Sequence, residues 1–132
     1  MTKPKIKSTS REDLKALMIE IGGEAKLRKI LEDFYAAMAP DVLIGFFFDG
    51  KDLHHIAHQQ ANFLLNAAGL VDRFDGKGPS QAHLQMAPIL SGHFDRRLVI
   101  LRQVLEKHGL TSAQINAWVQ FEEGFRLLVV KN

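Results

Sequence analysis

The sequence predicts an all-α fold, and three observations carry that prediction. Apolar residues recur at three- and four-residue spacing along most of the chain, strand-like alternation never extends far, and glycines and prolines fall between the periodic segments. The 132 residues suit one domain with one core, able to bury roughly two-thirds of its unfolded surface without staples.

The first helix, A, carries Leu14, Leu17, Met18 and Ile21, with Ser10 as its N-cap and Gly22-Gly23 as its end. Helix B follows as the stripe Leu27, Ile30, Leu31, Phe34 and Met38, and stops near Pro40. Residues 41–50 contain Phe46-Phe47-Phe48 and predict a short helix and a corner. Helix E spans Asp52 to Ala68, with Leu53, Ile56, Phe63 and Ala67 on one face. Residues 69–79, GLVDRFDGKGP, have three glycines and no apolar period, which predicts a loop. A short segment from Ser80 to Met86 comes next, interrupted by Pro88. Helix G carries Phe94, Leu98, Leu101 and Leu105 and ends at Gly109. Thr111 and Gln114 form a capping box for helix H, which carries Ile115, Trp118, Phe125 and Val129.

Composition excludes several classes of function. There is no cysteine, so neither disulfides nor thiolate ligation are available, and a reducing cytoplasmic setting is expected. No apolar run approaches the roughly 18 residues of a membrane span, and the basic N-terminus lacks the apolar stretch of a secretory signal. The net charge is only +2, and Lys3, Lys5 and Lys7 all sit in the first nine residues. Residues 1–9 are therefore expected to form a basic flexible tail and residues 10–132 the single domain, with no nucleic-acid partner and no stable membrane insertion. No phosphate-binding glycine loop follows a strand, and no serine–histidine–acid or cysteine–histidine set can be read.

Candidate site residues stand where polarity disagrees with a helix face. Gln60 lies on the apolar stripe Ile56, Phe63 and Ala67, and Tyr35 adjoins the buried stripe of helix B. Buried without partners, such groups cost about 1–3 kcal/mol each. They either bond each other at the edge of the core or aim donors into a pocket from facing helices. His83 follows the loop among Ala82, Leu84 and Met86, a setting that suits a core position or an iron ligand. His54 and His58 have zinc-like i, i+4 spacing, but no acidic or cysteine partner accompanies them on that helix, which favours a solvated face. The three phenylalanines 46–48 either fill a corner of the core or wedge a flat aromatic cofactor.

Taken together, these features resemble the truncated haemoglobin family, closest to its short single-loop members, from Leu14 to Val129. The resemblance rests on Gly22-Gly23, on Phe34-Tyr35 in LEDFYAAM, on Phe47-Phe48, and on AHQQANFLL with Phe63. It continues through Phe74-Asp75-Gly76 leading to QAH with His83, and closes on His93-Phe94-Asp95. It implies a two-over-two helical sandwich, helices B and E over G and H, enclosing haem b (iron protoporphyrin IX) with His83 as the proximal iron ligand.

By that pattern Tyr35 is the main distal hydrogen-bond donor, Gln60 is its partner, and Phe48 wedges the haem. Ile56 takes the position where other globins often carry histidine or glutamine. Phe34, Phe63 and Leu64 line the distal cavity or a tunnel to it, and Phe74 and Phe94 also contact the cofactor. Departures from the pattern are Ala68-Gly69 in place of a second glycine pair, Pro79, Ser80 and Pro88 around His83, and Arg97 where an apolar residue or tryptophan is usual. Of two registers for helix G, the preferred one turns Arg97 outward and sets Leu98 in the pocket. The other brings Arg97 inward, where it favours an anionic ligand or intermediate.

The resemblance further implies reversible binding of O2, and of NO and CO, with NO dioxygenation as the expected chemistry and an unidentified reductase restoring ferrous haem. A gas or redox sensor or carrier without turnover stays open, as does a bis-histidyl haem with His58 as second axial ligand. The bland alternative is a cofactor-free helical interaction module. A monomer or weak homodimer is expected.

Overall fold

The computed structural model describes residues 9–71 and 87–131. The expected tail through residue 8, most of the expected loop and the segment bearing His83 lie outside the described residues, and so does Phe74.

Local sequence signals set the ends of the helices. Helix α1 (Arg11–Glu20) starts at Ser10, whose hydroxyl accepts the Asp13 N–H at 3.0 Å. The turn into α2 (Gly23–Met38) uses Gly22 and Gly23 at φ of 121° and 83°, backbone angles that a Cβ would strain. After α2 the chain folds into a 3-10 turn (Gly45–Phe48). Asp41 braces this corner by accepting the N–H groups of Leu43 and Ile44 at 3.0 and 3.2 Å. Helix α3 (Leu53–Ala67) is capped by Asp52, which accepts the His55 N–H at 3.1 Å. Helix α4 (Ser91–Lys107) follows, then α5 (Ser112–Glu123), opened by the expected Thr111–Gln114 capping box. A one-turn helix, α6 (Arg126–Val129), ends the described chain.

Helices α1 to α5 occupy the places expected of A, B, E, G and H. The most extensive contact is between α2 and α3; α2 also packs on α4, α4 on α5, and α1 leans on α2, α3 and α5. Leu27, Ile30, Leu31, Phe34 and Met38 of α2, with Leu64, Leu101, Leu105 and Trp118, are fully buried and join these layers into one core. Among the described residues there is no strand, only an isolated bridge between Ile89 and Val130. No described helix is long and apolar enough to cross a membrane.

One expectation is corrected. The last helix does not run unbroken to Val129; it stops at Glu123, and Gly124 and Phe125 separate it from α6. Glycine is a poor helix former, and the new direction is fixed by Arg126. Its guanidinium donates to Asp95, Glu123 and the Ser91 hydroxyl and lies 4.5 Å from the centre of the Phe94 ring. The break keeps Phe125 and Val129 on the wall of the central cavity.

Candidate functional site

A cavity of about 570 Å³ lies between the α2–α3 layer and α4–α5, within the size range of small-molecule and cofactor sites. Its walls are mostly apolar. On one side are Ile56 and Phe63 of α3, with Phe47 and Phe48 of the corner; on the other are Phe94 of α4, Phe121 of α5, and Phe125 and Val129 beyond it. Phe63, Phe121 and Phe125 form a ring cluster, with Phe125 centred 5.5 Å from Phe63 and 5.2 Å from Phe121 in edge-on contacts. Phe47 meets His93 edge-on at 5.1 Å, while Phe46 is left exposed, so the phenylalanine trio divides between cavity wall and surface.

Polar groups enter this apolar space from four helices. Tyr35 is carried on α2 beside the buried Phe34, and its ring packs edge-on against Phe48 at 5.7 Å. Gln59 and Gln60 reach the cavity from α3, Arg97 from α4 and Glu122 from α5. Lys51, His55 and His93 also line it, with Lys51 and His55 exposed. The His93 ring nitrogen Nδ1 accepts the Leu90 N–H at 3.0 Å, which fixes the imidazole at the start of α4.

The preferred register for Arg97 is thereby corrected. Arg97 turns inward and donates to Glu122 Oε2, while Leu98 is buried in the core and does not line the cavity. The side chains are 22% and 7% exposed, respectively, so this ion pair is largely withdrawn from bulk water. A buried cation persists only with a partner, and the partner here comes from another helix, 25 residues along the chain. The guanidinium also stacks over the Phe34 ring at 5.0 Å and sits close enough to Tyr35 for the two to interact electrostatically. Gln60, the expected partner of Tyr35, lines the same cavity from α3.

The electrostatics follow from these contacts. Burial raises the Tyr35 phenol above its ordinary pKa, against the opposing pull of Arg97, so it stays protonated through the neutral range. Burial works against the Arg97 charge, but Glu122 and Tyr35 outweigh it and leave the guanidinium above the ordinary arginine value. A guanidinium has only donors and a phenol can both donate and accept, so Arg97 beside Tyr35 leaves the phenol proton available. Glu122 Oε1 is buried and has no hydrogen-bond partner among the described residues.

Of the other residues singled out from the sequence, Gln60, Ile56, Phe48, Phe63 and Phe94 line the cavity, whereas Phe34 and Leu64 are core residues behind it. His83 and Phe74 lie outside the described residues. The bis-histidyl arrangement finds no support in the placement of His58, which is exposed on the outer side of α3 and bonded to Arg28 at 2.9 Å. His54 pairs with Glu32 at the surface, and among the described residues no three metal-binding side chains cluster. Sequence reasoning missed Glu122. Its signal was a carboxylate on the buried face of α5, three and four residues after Val119 and Trp118.

Comparison with known proteins agrees with this geometry. The family model described as "Bacterial-like globin" matches residues 17–129. A group 1 truncated haemoglobin from Tetrahymena pyriformis is 31% identical over 97 residues, 74% of this chain and 79% of its own. One from Tetrahymena thermophila is 27% identical over 92 residues, 70% of this chain and 75% of its own. The solved Fe(III) structure of the Tetrahymena pyriformis protein superposes with a TM-score of 0.79 at 27% identity, covering 88% of this chain and 98% of that one. The 2/2 haemoglobin of Synechococcus sp. PCC 7002, solved in the cyanomet state with covalently attached haem, gives 0.73 at 26% identity, covering 81% and 89%.

Proposed function

Because the chain belongs to the bacterial-like (truncated) globins, a family whose members bind haem, we propose that it holds haem b in the central cavity through His83 and binds O2 reversibly there. The residues present suit the group. Phenylalanine rings on opposite walls offer flat apolar faces, exposed Lys51 and His55 offer basic groups to carboxylates, and Tyr35, Gln60 and Arg97 offer donors. When bound, haem would supply an iron able to take a diatomic gas.

The observation that carries the reading is the Tyr35 hydroxyl. It is buried at the cavity and stays protonated, so its O–H is available as a donor to a ligand. Such a donor would favour O2 over the less polar CO. Gln60 supplies a second amide donor from α3. Retentive O2 binding suits consumption of NO to nitrate better than O2 delivery, with an external reductase returning the protein to the ferrous state.

Stopped-flow measurement of O2 release tests the reading. Tyr35→Phe should release O2 about tenfold faster or more, as loss of one hydrogen bond in a dry site predicts, with CO release changed much less. An O2 release rate equal to that of the wild type would remove Tyr35 from the role.

A further inference from the structure

Away from the cavity, a chain of three titratable side chains joins α2 to the end of α4. Lys26 Nζ lies 2.9 Å from His108 Nδ1, and His108 Nε2 lies 2.8 Å from Asp33 Oδ2. Lys26 and Asp33 stand seven residues apart and so share a face of α2, while His108 is the residue that caps α4. An ammonium has only donors and a carboxylate only acceptors. Nδ1 therefore accepts from Lys26, and the Nε2 proton goes to Asp33. The imidazole is held at both nitrogens as one neutral tautomer, and its side chain is only 12% exposed. Lys29 takes the other Asp33 oxygen at 3.3 Å. Burial pushes the Asp33 carboxyl up, but His108 and Lys29 outweigh it and hold the group below its ordinary value of 3.8.

A nucleophile within about 2.6–3.2 Å of a base, with that base oriented by a third group, is the arrangement that activates weak nucleophiles. Here the nucleophile is a primary amine. We propose that Lys26 is an activated amine and a modification site, where the chain takes an acyl group from a small acyl phosphate with His108 as base and Asp33 orienting it. Lys26 first gives one ammonium proton to solvent. Its nitrogen then bonds to the acyl carbon, and the C–O bond to phosphate breaks with its electrons leaving on the phosphate. The excess proton on nitrogen passes to His108 Nδ1 and from there to the released phosphate. Asp33 stabilises the imidazolium formed on the way, as the carboxylate of a catalytic triad does. Lys26, Lys29 and Lys107 outnumber Asp33 and Glu106 on the segments that carry the relay, which favours an anionic donor. The product amide keeps an N–H for His108 and loses the positive charge. None of the three residues lines the central cavity, so the proposal stands apart from the haem reading.

Full-length protein incubated with acetyl phosphate, with acetylation at each lysine followed by mass spectrometry of its peptides, tests this. Lys26 is half-buried and Lys15 on α1 is exposed, so access alone makes Lys15 the faster. The relay reverses that order, and Lys26 should acetylate about tenfold faster or more. His108→Gln keeps an acceptor for Lys26 but no base, and should slow Lys26 about tenfold or more while Lys15 is unchanged. Loosened helices would expose Lys26 and speed its reaction, so the expected fall is not what loss of structure produces. If His108→Gln does not fold, Asp33→Asn decides: slower Lys26 with unchanged Lys15 supports the proposal, and an equal or faster Lys26 overturns it. A wild-type Lys26 no faster than Lys15, or a Lys26 rate that His108→Gln leaves unchanged or raises, also overturns it.

Discussion

At the scale of single residues, two carboxylates do most to shape the site, and neither touches the surface freely. Glu122 makes an inward arginine tolerable. Asp41 holds the corner that carries Phe47 and Phe48 by accepting two backbone N–H groups and the Arg96 guanidinium, the last at 2.9 and 3.0 Å. The Arg96 guanidinium, helped by the Leu43 and Ile44 N–H groups, keeps the Asp41 carboxyl below its usual value of 3.8. A carboxyl whose folded-state pKa is depressed stabilises the fold above its unfolded value, and that contribution is lost as pH falls through the folded value. Asp41→Asn should therefore be less stable than the wild type at pH 7, and urea melts should show the gap shrinking as pH drops below about 4. A gap that stays constant from neutral to strongly acid pH would mean that Asp41 acts through its shape alone.

At the scale of elements, the corner between α2 and α3 is the most tightly specified part of the cavity wall. Gly45 opens the 3-10 turn where a Cβ would stand 2.3 Å from the carbonyl oxygen of Ala39, a backbone atom with little freedom to move. Gly45→Ala should cost about 1–3 kcal/mol in denaturant-induced unfolding, as overpacked sites do, and should displace the adjoining phenylalanines. Stability equal to the wild type would show that the turn yields.

Elements of this kind differ in how legible they are. Ser10, Asp52 and the Thr111–Gln114 box were readable because a cap acts within a few residues of its own backbone. The break at Gly124 was less so, because periodicity continues across it in Phe125 and Val129; the Arg126 contacts to Asp95 and Phe94 that redirect the chain are tertiary. Arg97 was misjudged for the same reason. Helical spacing leaves Arg97 and Leu98 both near the buried stripe, and only a carboxylate arriving from α5 decides that the charge stays inside.

At the scale of the whole molecule, α2 to α6 and the corner wall an apolar space of about 570 Å³ among the described residues of a 132-residue chain. Large apolar side chains from several helices face that space instead of packing into the core, as a site for a flat apolar group requires. The order and spacing of modest signals such as Gly22-Gly23, Phe34-Tyr35, Phe47-Phe48 and Phe63 made the two-over-two arrangement legible, although none of them is strong alone. What spacing could not convey was the charge network inside, which joins three helices far apart in sequence.

The central claim is that this cavity holds haem through His83. Titration of the purified protein with hemin, followed at the Soret band and repeated with His83→Ala, tests it most directly. The account predicts saturation at one equivalent with a globin-like spectrum, and loss or severe weakening of that band in His83→Ala. A wild-type protein that takes up no hemin, or a His83→Ala variant with the same spectrum and affinity, would contradict it.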